Sequence, residues 1–154
     1  MKLNYPLEPK STAYMQPGQF WPILLSDGRY ACGRVLQIDQ TSRRMFLAGL
    51  MDWTGHVEPN SESLAKSQIL YSGHAHIKTV TSLGVGITGF RELDADGLKI
   101  PLTLDQSPGA NCRLRRGYEV LRLASQEEQD RLPRFQTWGY KVISRLAERH
   151  FVSV

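Results

Sequence analysis

The sequence has only two cysteines, no long apolar run and little excess charge. Two thiols in 154 residues, Cys32 and Cys112, argue against a disulfide-stapled secreted scaffold. We expect both to be buried and reduced, because an unpaired cysteine usually packs as a small hydrophobic residue. No stretch reaches the roughly 18 consecutive apolar residues of a membrane span, and the opening MKLNYPLEPK has a proline and charges where a signal peptide needs an apolar core. These absences predict a cytoplasmic protein without a membrane partner.

What is present is the composition of one ordinary globular domain. Hydrophobic residues make up 41% of the chain and charged residues 22%. A chain of this length buries roughly 68–70% of the surface that its unfolded form exposes, so it can form a core without a metal or a disulfide. Residues 1–16 contain prolines and no apolar period. We therefore predict an extended N-terminal arm over 1–16 and a single globular domain over 17–154.

The small positive charge is concentrated at one end of the chain. The net charge is +4, and residues 111–154 hold nine basic against five acidic residues, which accounts for the whole excess. A basic patch of this kind suits nucleic acid or an acidic protein partner. A solvated surface with scattered arginines has the same composition, so the charge alone does not identify a partner.

The most informative segment is 19–39, in which two apolar runs flank Asp27-Gly28. Asp-Gly between apolar runs predicts a β-hairpin with a two-residue type I′ turn. In that register Trp21 lies opposite Arg34, and both faces of the hairpin are largely apolar. A hairpin covered on both sides belongs inside a two-layer structure or in the wall of a small barrel.

Alternation and turn residues predict further strands, at 45–53, 74–83, 85–93, 98–104 and 111–124. The continuous apolar run of 45–53 also fits a short buried helix. Within the last of these, the apolar parity changes near Gly117, which indicates a bulge or a strand buried on both faces.

Helices are expected at three places. A short helix is predicted at 61–70, another begins at Ser125 with a capping box to Glu128, and a C-terminal helix covers 137–150. The predicted fold is therefore α+β: a curved, mostly antiparallel sheet or a small, partly open barrel, with a short helix and a C-terminal helical segment packed on it.

One motif match points to a cofactor and is weakened by its context. Gly84, Gly86 and Gly89 fit the dinucleotide pattern GxGxxG, which works only when a helix starts directly after it. The residues that follow reach a turn and then Pro101 instead. We predict that these glycines form turns and that the protein binds no dinucleotide or other cofactor.

Two histidines are the only metal candidates. His74 and His76 alternate along a predicted strand, so their imidazoles share a face and could bind zinc. A third ligand at a fixed spacing is missing, and a strand face with two histidines is commonly just a polar surface. We expect no bound metal, and any metal would use these two residues. With no GxSxG elbow and Cys32 in a strand, we also expect no catalysis.

Aromatic residues and an arginine form a candidate partner-binding set, namely Trp21, Tyr30, Arg34 and Trp53. These residue types dominate the energetics of protein interfaces when they are exposed, and a Trp21–Arg34 cation–π contact would contribute about 0.5–1 kcal/mol. The alternative is that both tryptophans belong to the core and that the Arg34 side chain lies over them.

The same hairpin carries a family resemblance. The segment PGQFWPILLSDGRYACGRVLQID resembles the opening of the bacterial immunity protein 26 family of polymorphic-toxin systems. The matching positions are Pro17-Gly18, the strand 20–25, Asp27-Gly28-Arg29-Tyr30 and Gly33-Arg34-Val35-Leu36. The resemblance implies a non-enzymatic protein that binds and neutralises a co-encoded toxin domain. Two alternatives remain: a small-barrel nucleic-acid-binding module that uses the basic region 111–154, and a histidine-dependent metal-binding protein.

Overall fold

A computed structural model describes residues 3–152 of the chain, so the first two residues of the predicted arm and the last two of the predicted domain lie outside it. The described residues form nine strands and three α-helices, which confirms the α+β class. The elements are β1 (Gln19–Leu24), β2 (Tyr30–Ile38), β3 (Met45–Gly55), β4 (Ile69–His76), α1 (Lys78–Thr81), β5 (Gly89–Phe90), β6 (Leu102–Leu104), β7 (Arg113–Arg116), β8 (Glu119–Leu123), α2 (Gln126–Arg131), β9 (Thr137–Trp138) and α3 (Val142–Phe151).

The strands form two sheets. The larger has the order β5-β1-β2-β3-β4-β9, in which only the β4–β9 pair is parallel. The smaller has the order β6-β7-β8 and is antiparallel throughout. Of the two predicted arrangements, the mostly antiparallel sheet is the one observed, because the strands do not close into a barrel in the described part of the chain.

The β1–β2 turn differs from the prediction by one residue. Its loop has three residues rather than two: the Gly28 N–H donates to the Leu25 carbonyl at 3.0 Å, and the Leu25 N–H donates to the Arg29 carbonyl at 2.8 Å. Gly28 has a left-handed φ of 89°. This is a type I turn closed by a glycine bulge, which an Asp-Gly pair supports as readily as a type I′ turn.

The one-residue shift reverses the predicted pairing. Trp21 lies opposite Gly33, and Phe20 lies opposite Arg34. Because side chains alternate along a strand, Trp21 and Arg34 point to opposite faces of the sheet. The predicted contact between them is therefore wrong.

Both faces of the larger sheet are covered, as expected for the hairpin. On one face the Trp21 side packs against α3, in a core that includes Phe46, Leu50, Ile143 and Ala147. The other face holds a second cluster, which comprises Phe20, Cys32, Met51, Leu64 and Leu98. The hairpin strands are thus central to the domain.

The helix predicted at 61–70 is absent, and a series of turns over 61–66 takes its place. Asn60 and Ser63 exchange two side chain-to-backbone hydrogen bonds of 2.9 and 2.8 Å. Lys66 then adopts a left-handed φ of 67°, and β4 begins three residues later. Only Leu64 of this segment is fully buried. The segment therefore contributes a single side chain to the cluster around Phe20.

Two predicted strands are shorter than expected. The strand at 74–83 ends at His76 and continues as α1, and only Gly89–Phe90 of 85–93 pairs with β1. Gly84 and Gly86 have left-handed φ values of 78° and 71°, which agrees with the prediction of turns there and prevents a continuous strand. At Gly89 the prediction is wrong, because this glycine lies in β5. The strand predicted at 98–104 is confined to β6.

Neither reading of the 111–124 segment holds. It is not one strand but a hairpin, β7 and β8, that reverses at Gly117, which has a φ of 60°. A bulge does occur, but at Leu121, because Arg122 pairs with Leu114 while Val120 pairs with Arg115.

The C-terminal part confirms one prediction and corrects another. Ser125 and Glu128 form the expected capping box at the start of α2. The last helix begins at Val142 rather than 137, because Trp138 is drawn into β9. The described part of the N-terminal arm bridges to the domain through Leu7 and Ile87, and Met15 is buried in the core.

Candidate functional site

None of the four residues predicted to bind a partner is fully exposed at the surface. Trp21 and Arg34 both have 0% exposure, and the Trp21 ring packs edge-on against Phe46 with centroids 5.9 Å apart. Tyr30 and Trp53 are half-buried. Trp21 and Arg34 therefore stabilise the interior and are not available to a partner at the surface.

Arg34 holds three backbone segments together. Its Nε donates to the Gly18 carbonyl at 3.0 Å, and its Nη2 donates to the Arg91 carbonyl. Arg91 in turn makes two hydrogen bonds of 2.7 and 2.8 Å to Asp96, which also accepts from the Lys66 N–H at 2.9 Å. The Arg91 hydrogen bonds hold the pKa of Asp96 far below its usual value.

The loop of the β1–β2 hairpin is fastened to α3. Ser26 donates to Glu148 through both its N–H and its hydroxyl, at 2.8 and 2.6 Å. Arg29 donates to Asp27 at 2.8 Å and to the Phe151 carbonyl at 2.9 Å. The residues that carry the family resemblance thus have structural partners within this chain.

The metal candidates His74 and His76 lie on one face of β4, as predicted. Each Nδ1 atom, however, has its own hydrogen-bond partner within the chain. His74 Nδ1 is 2.7 Å from the Tyr118 hydroxyl, and His76 Nδ1 accepts from the Lys78 N–H at 3.0 Å. Among residues 3–152, no group of three or more His, Cys, Asp or Glu side chains is close enough to hold an ion.

Acidification is expected to destabilise the protein through His74. Burial lowers the pKa of this imidazole below 6.5, Arg115 adds to the effect, and Asp39 opposes it. The folded state therefore binds the proton less tightly than the unfolded chain, so the free energy of unfolding falls as the pH drops below the unfolded pKa. Urea unfolding at about pH 7.5 and about pH 5.5 measures this loss.

His76 contributes in the same direction, since burial and the nearby Lys78 and Arg44 lower its pKa. The matched control is therefore the double variant His74→Gln/His76→Gln, which should lose less stability than the natural chain over this pH interval. Equal losses in both proteins would show that these pKa values are not lowered.

Both cysteines are buried and free, as predicted. Burial raises the pKa of the Cys32 thiol far above its usual value, so it stays protonated at neutral pH. The glycine motif is likewise structural: Gly89 lies in β5 rather than at a helix start, with the Phe20 ring against it.

The sequence analysis missed a cleft where the two sheets meet. Asp39, His74, Arg115, Tyr118 and Phe135 line a cavity of about 330 Å³. The Arg115 Cζ atom lies 4.6 Å from the centroid of the Phe135 ring, and the rings of His74 and Tyr118 are 5.4 Å apart and nearly perpendicular. These residues come from four separate segments, so no spacing in the sequence marks them.

Segment 133–138 positions Phe135 by bridging the sheets. The Phe135 N–H donates to the Leu104 carbonyl at 2.7 Å, and the Leu104 N–H donates to the Pro133 carbonyl at 2.9 Å. One step further, the His74 N–H donates to the Gln136 carbonyl at 2.8 Å. The segment is thus hydrogen-bonded to both sheets, which fixes the geometry of the cleft.

A second and larger cleft, of about 610 Å³, is also lined by Arg115 and Phe135. Three arginines converge beside it on Asp105: Arg113 at 2.7 Å and Arg115 at 3.3 Å reach the carboxylate, and Arg134 donates to the Asp105 carbonyl at 2.7 Å. The hydrogen bond from Arg113 lowers the pKa of Asp105.

An exposed apolar surface lies at the edge of the small sheet. All five residues of β8 are exposed, including Val120 at 40%, Leu121 at 42% and Leu123 at 59%. In the part of the chain that the structure describes, β7 covers one side of β8 and no strand covers the other. The bulge places Val120 and Leu121 together against one residue of β7.

In comparisons with known proteins, the chain matches no family model, and no curated protein or solved structure is significantly similar to it. None of the helices between residues 3 and 152 has the length and apolar character needed to cross a membrane.

Proposed function

We propose that this chain is a non-catalytic, cytoplasmic protein of the immunity type, which binds and neutralises a co-encoded bacterial toxin domain along the exposed edge of β8. The observation that carries the proposal is the exposed edge strand with three aliphatic side chains within four residues. The resemblance at 17–36 supports the kind of partner.

An uncovered edge strand favours binding by strand addition. Its outward N–H and C=O groups have no partner strand in the described chain, so an extended segment of another protein can hydrogen-bond along it. The exposed side chains of Val120, Leu121 and Leu123 then supply apolar contacts. Natural proteins usually protect such edges, which makes this one a candidate interface.

The charge around β8 defines the chemistry of the partner. The hairpin over 113–123 carries four arginines and one glutamate, a net charge of +3. Arg113 and Arg122 remain 49% and 58% exposed in their side chains although each pairs with a carboxylate. The complementary partner is a strand with alternating apolar and acidic side chains, and attraction between opposite charges would speed its association.

The decisive experiment is co-expression with the product of the adjacent gene, scored by growth rescue and co-purification. The natural chain should rescue growth and bind. The variant Leu121→Asp/Leu123→Asp should bind at least about thirtyfold more weakly, since loss of one hot-spot residue costs about 2 kcal/mol and the introduced carboxylates repel an acidic strand.

The matched control is Leu24→Asp/Val57→Asp, which introduces the same charges at two isolated apolar residues of 67% and 72% exposure. This variant should bind and rescue like the natural chain. Binding by the edge variant at full strength would move the interface away from β8, whereas failure of the natural chain to bind or rescue would contradict the immunity function itself.

The nucleic-acid alternative is tested in the same samples. Affinity for nucleic acid that falls steeply between about 50 and about 200 mM salt would favour that function and count against ours. The structure gives several of the relevant arginines partners within the chain, because Arg113 and Arg115 pair with Asp105 and Arg122 pairs with Glu128.

A further inference from the structure

We infer that the larger cleft beside Arg115 is a binding site for a small ligand that carries an oxyanion, either a carboxylate or a phosphate. The inference is independent of toxin binding, because none of the residues that line this cleft belongs to β8. Four observations carry it.

The first observation is an imbalance of charge. Three guanidinium groups, from Arg113, Arg115 and Arg134, meet at the single residue Asp105. Arg113 makes the short 2.7 Å contact and also donates its backbone N–H at 3.1 Å to the same carboxylate oxygen. The contact of Arg115 is longer, 3.3 Å, so its charge is the less compensated one.

The second observation is an unpaired donor. The Nε–H of Arg115 is buried and has no hydrogen-bond partner among residues 3–152. Leaving a buried donor unpaired costs about 1–3 kcal/mol. Because this N–H is closed to solvent, a ligand would contact the part of the Arg115 side chain that remains exposed, 21% of its surface. A fork only partly occupied by Asp105 suits a planar carboxylate or a phosphate, which accepts two parallel hydrogen bonds.

The third observation is rigidity. The Arg115 guanidinium lies against the Phe135 ring at 4.6 Å, and Phe135 is fixed by the bridging segment 133–138. Beneath it, Tyr118 is held by the 2.7 Å contact to His74 and by its N–H donating to Gln37 at 2.9 Å. A side chain held in place before binding loses little freedom when a ligand arrives.

The fourth observation is the cleft itself. Its volume of about 610 Å³ is in the range of small-molecule sites, and Ser107, Asn111 and Thr137 add hydroxyl and amide groups around Arg115. Each cleft is lined by one carboxylate. Asp105 of the larger cleft is paired with Arg113 and Arg115, whereas the Asp39 carboxylate of the smaller cleft accepts only from Thr41 among residues 3–152, so the smaller cleft is less suited to an anion. The oxyanion is therefore assigned to the larger cleft.

Titration of the full chain with inorganic phosphate and, separately, with acetate and citrate tests the site, with binding followed by amide chemical shifts. At least one probe should give saturable shifts centred on 105–115. Saturation by phosphate alone identifies a phosphate site, and saturation by acetate or citrate alone identifies a carboxylate site. Absence of saturable shifts with every probe would overturn the inference.

Two arginine variants distinguish a built site from a generally basic surface. Arg115→Gln should weaken binding by about tenfold or more, and Arg115→Lys should weaken it too, because lysine keeps the charge but loses the fork. The control is Arg122→Gln, which removes an exposed arginine of the same hairpin that pairs with Glu128 rather than Asp105 and does not line the cleft. Equal losses in Arg122→Gln and Arg115→Gln would contradict the assignment. The amide spectrum of each variant without ligand reports whether the variant is folded. If Arg115→Gln does not fold, Arg115→Lys tests the site in its place.

Discussion

Arg34→Ala is expected to lower the free energy of unfolding by about 2–5 kcal/mol, the range for truncating a large buried side chain to alanine. The side chain is fully buried and donates to the carbonyls of Gly18 and Arg91. Its removal deletes two charge-assisted hydrogen bonds and leaves an empty volume between β2 and the segment that contains Asp96. Equilibrium urea unfolding measures the loss.

Two further variants isolate the cause. Arg34→Lys should be intermediate, because an ammonium group keeps the charge but cannot span two carbonyls as a planar guanidinium does. Arg122→Ala should change stability little, since Arg122 is 58% exposed and its hydrogen bonds, to Glu128 and to the adjacent Leu123 carbonyl, lie at the surface. A loss below about 1 kcal/mol for Arg34→Ala would mean that the arginine is not a structural link.

Gly33→Ala is expected to cost about 3 kcal/mol, the upper end of the range for overpacking. A Cβ atom at this position would lie 2.3 Å from the Trp21 ring. The ring is fully buried against Phe46 and cannot move aside without disturbing the core. The result would show that Gly33 is required for space rather than for an unusual backbone angle.

A double-mutant cycle separates this clash from other effects of the glycine. Trp21→Leu is itself destabilising, but Gly33→Ala should cost about 1–3 kcal/mol less in that background. Gly139→Ala is the matched control, because its Cβ would meet only Val142 at 3.9 Å and its stability should be unchanged or slightly raised. Strict additivity of Trp21→Leu and Gly33→Ala would contradict the proposed contact.

These two predictions also explain the hairpin that carries the family resemblance. Gly33 accommodates Trp21, Arg34 binds the Gly18 carbonyl, and Asp27 accepts from Arg29. These three motif positions are therefore explained by the packing of this chain, whereas the proposed interface with a toxin lies elsewhere, on β8.

The sequence predicted the hairpin but not its register, for a physical reason. An Asp-Gly pair stabilises both a two-residue and a three-residue loop, and the energies of these turns are similar. The choice is made by the strands, because only the observed register places Trp21 over a glycine and in the core. The role of Gly117 could not be predicted for the same reason. A reversal of the chain and a bulge both change which alternate positions are apolar, so the sequence pattern does not distinguish them.

By itself, the sequence determined the fold class, the buried thiols, the capping box at Ser125 and the turns at Gly84 and Gly86. Each of these depends on the composition of the chain or on neighbours within a few residues, where propensity and spacing act directly. Only the tertiary structure decided that Arg34 is buried, that β8 is a free edge, and that Arg115 lies with Phe135 and His74 at one cleft. Those properties depend on which segments meet across the two sheets, and long-range packing, not local preference, sets that arrangement.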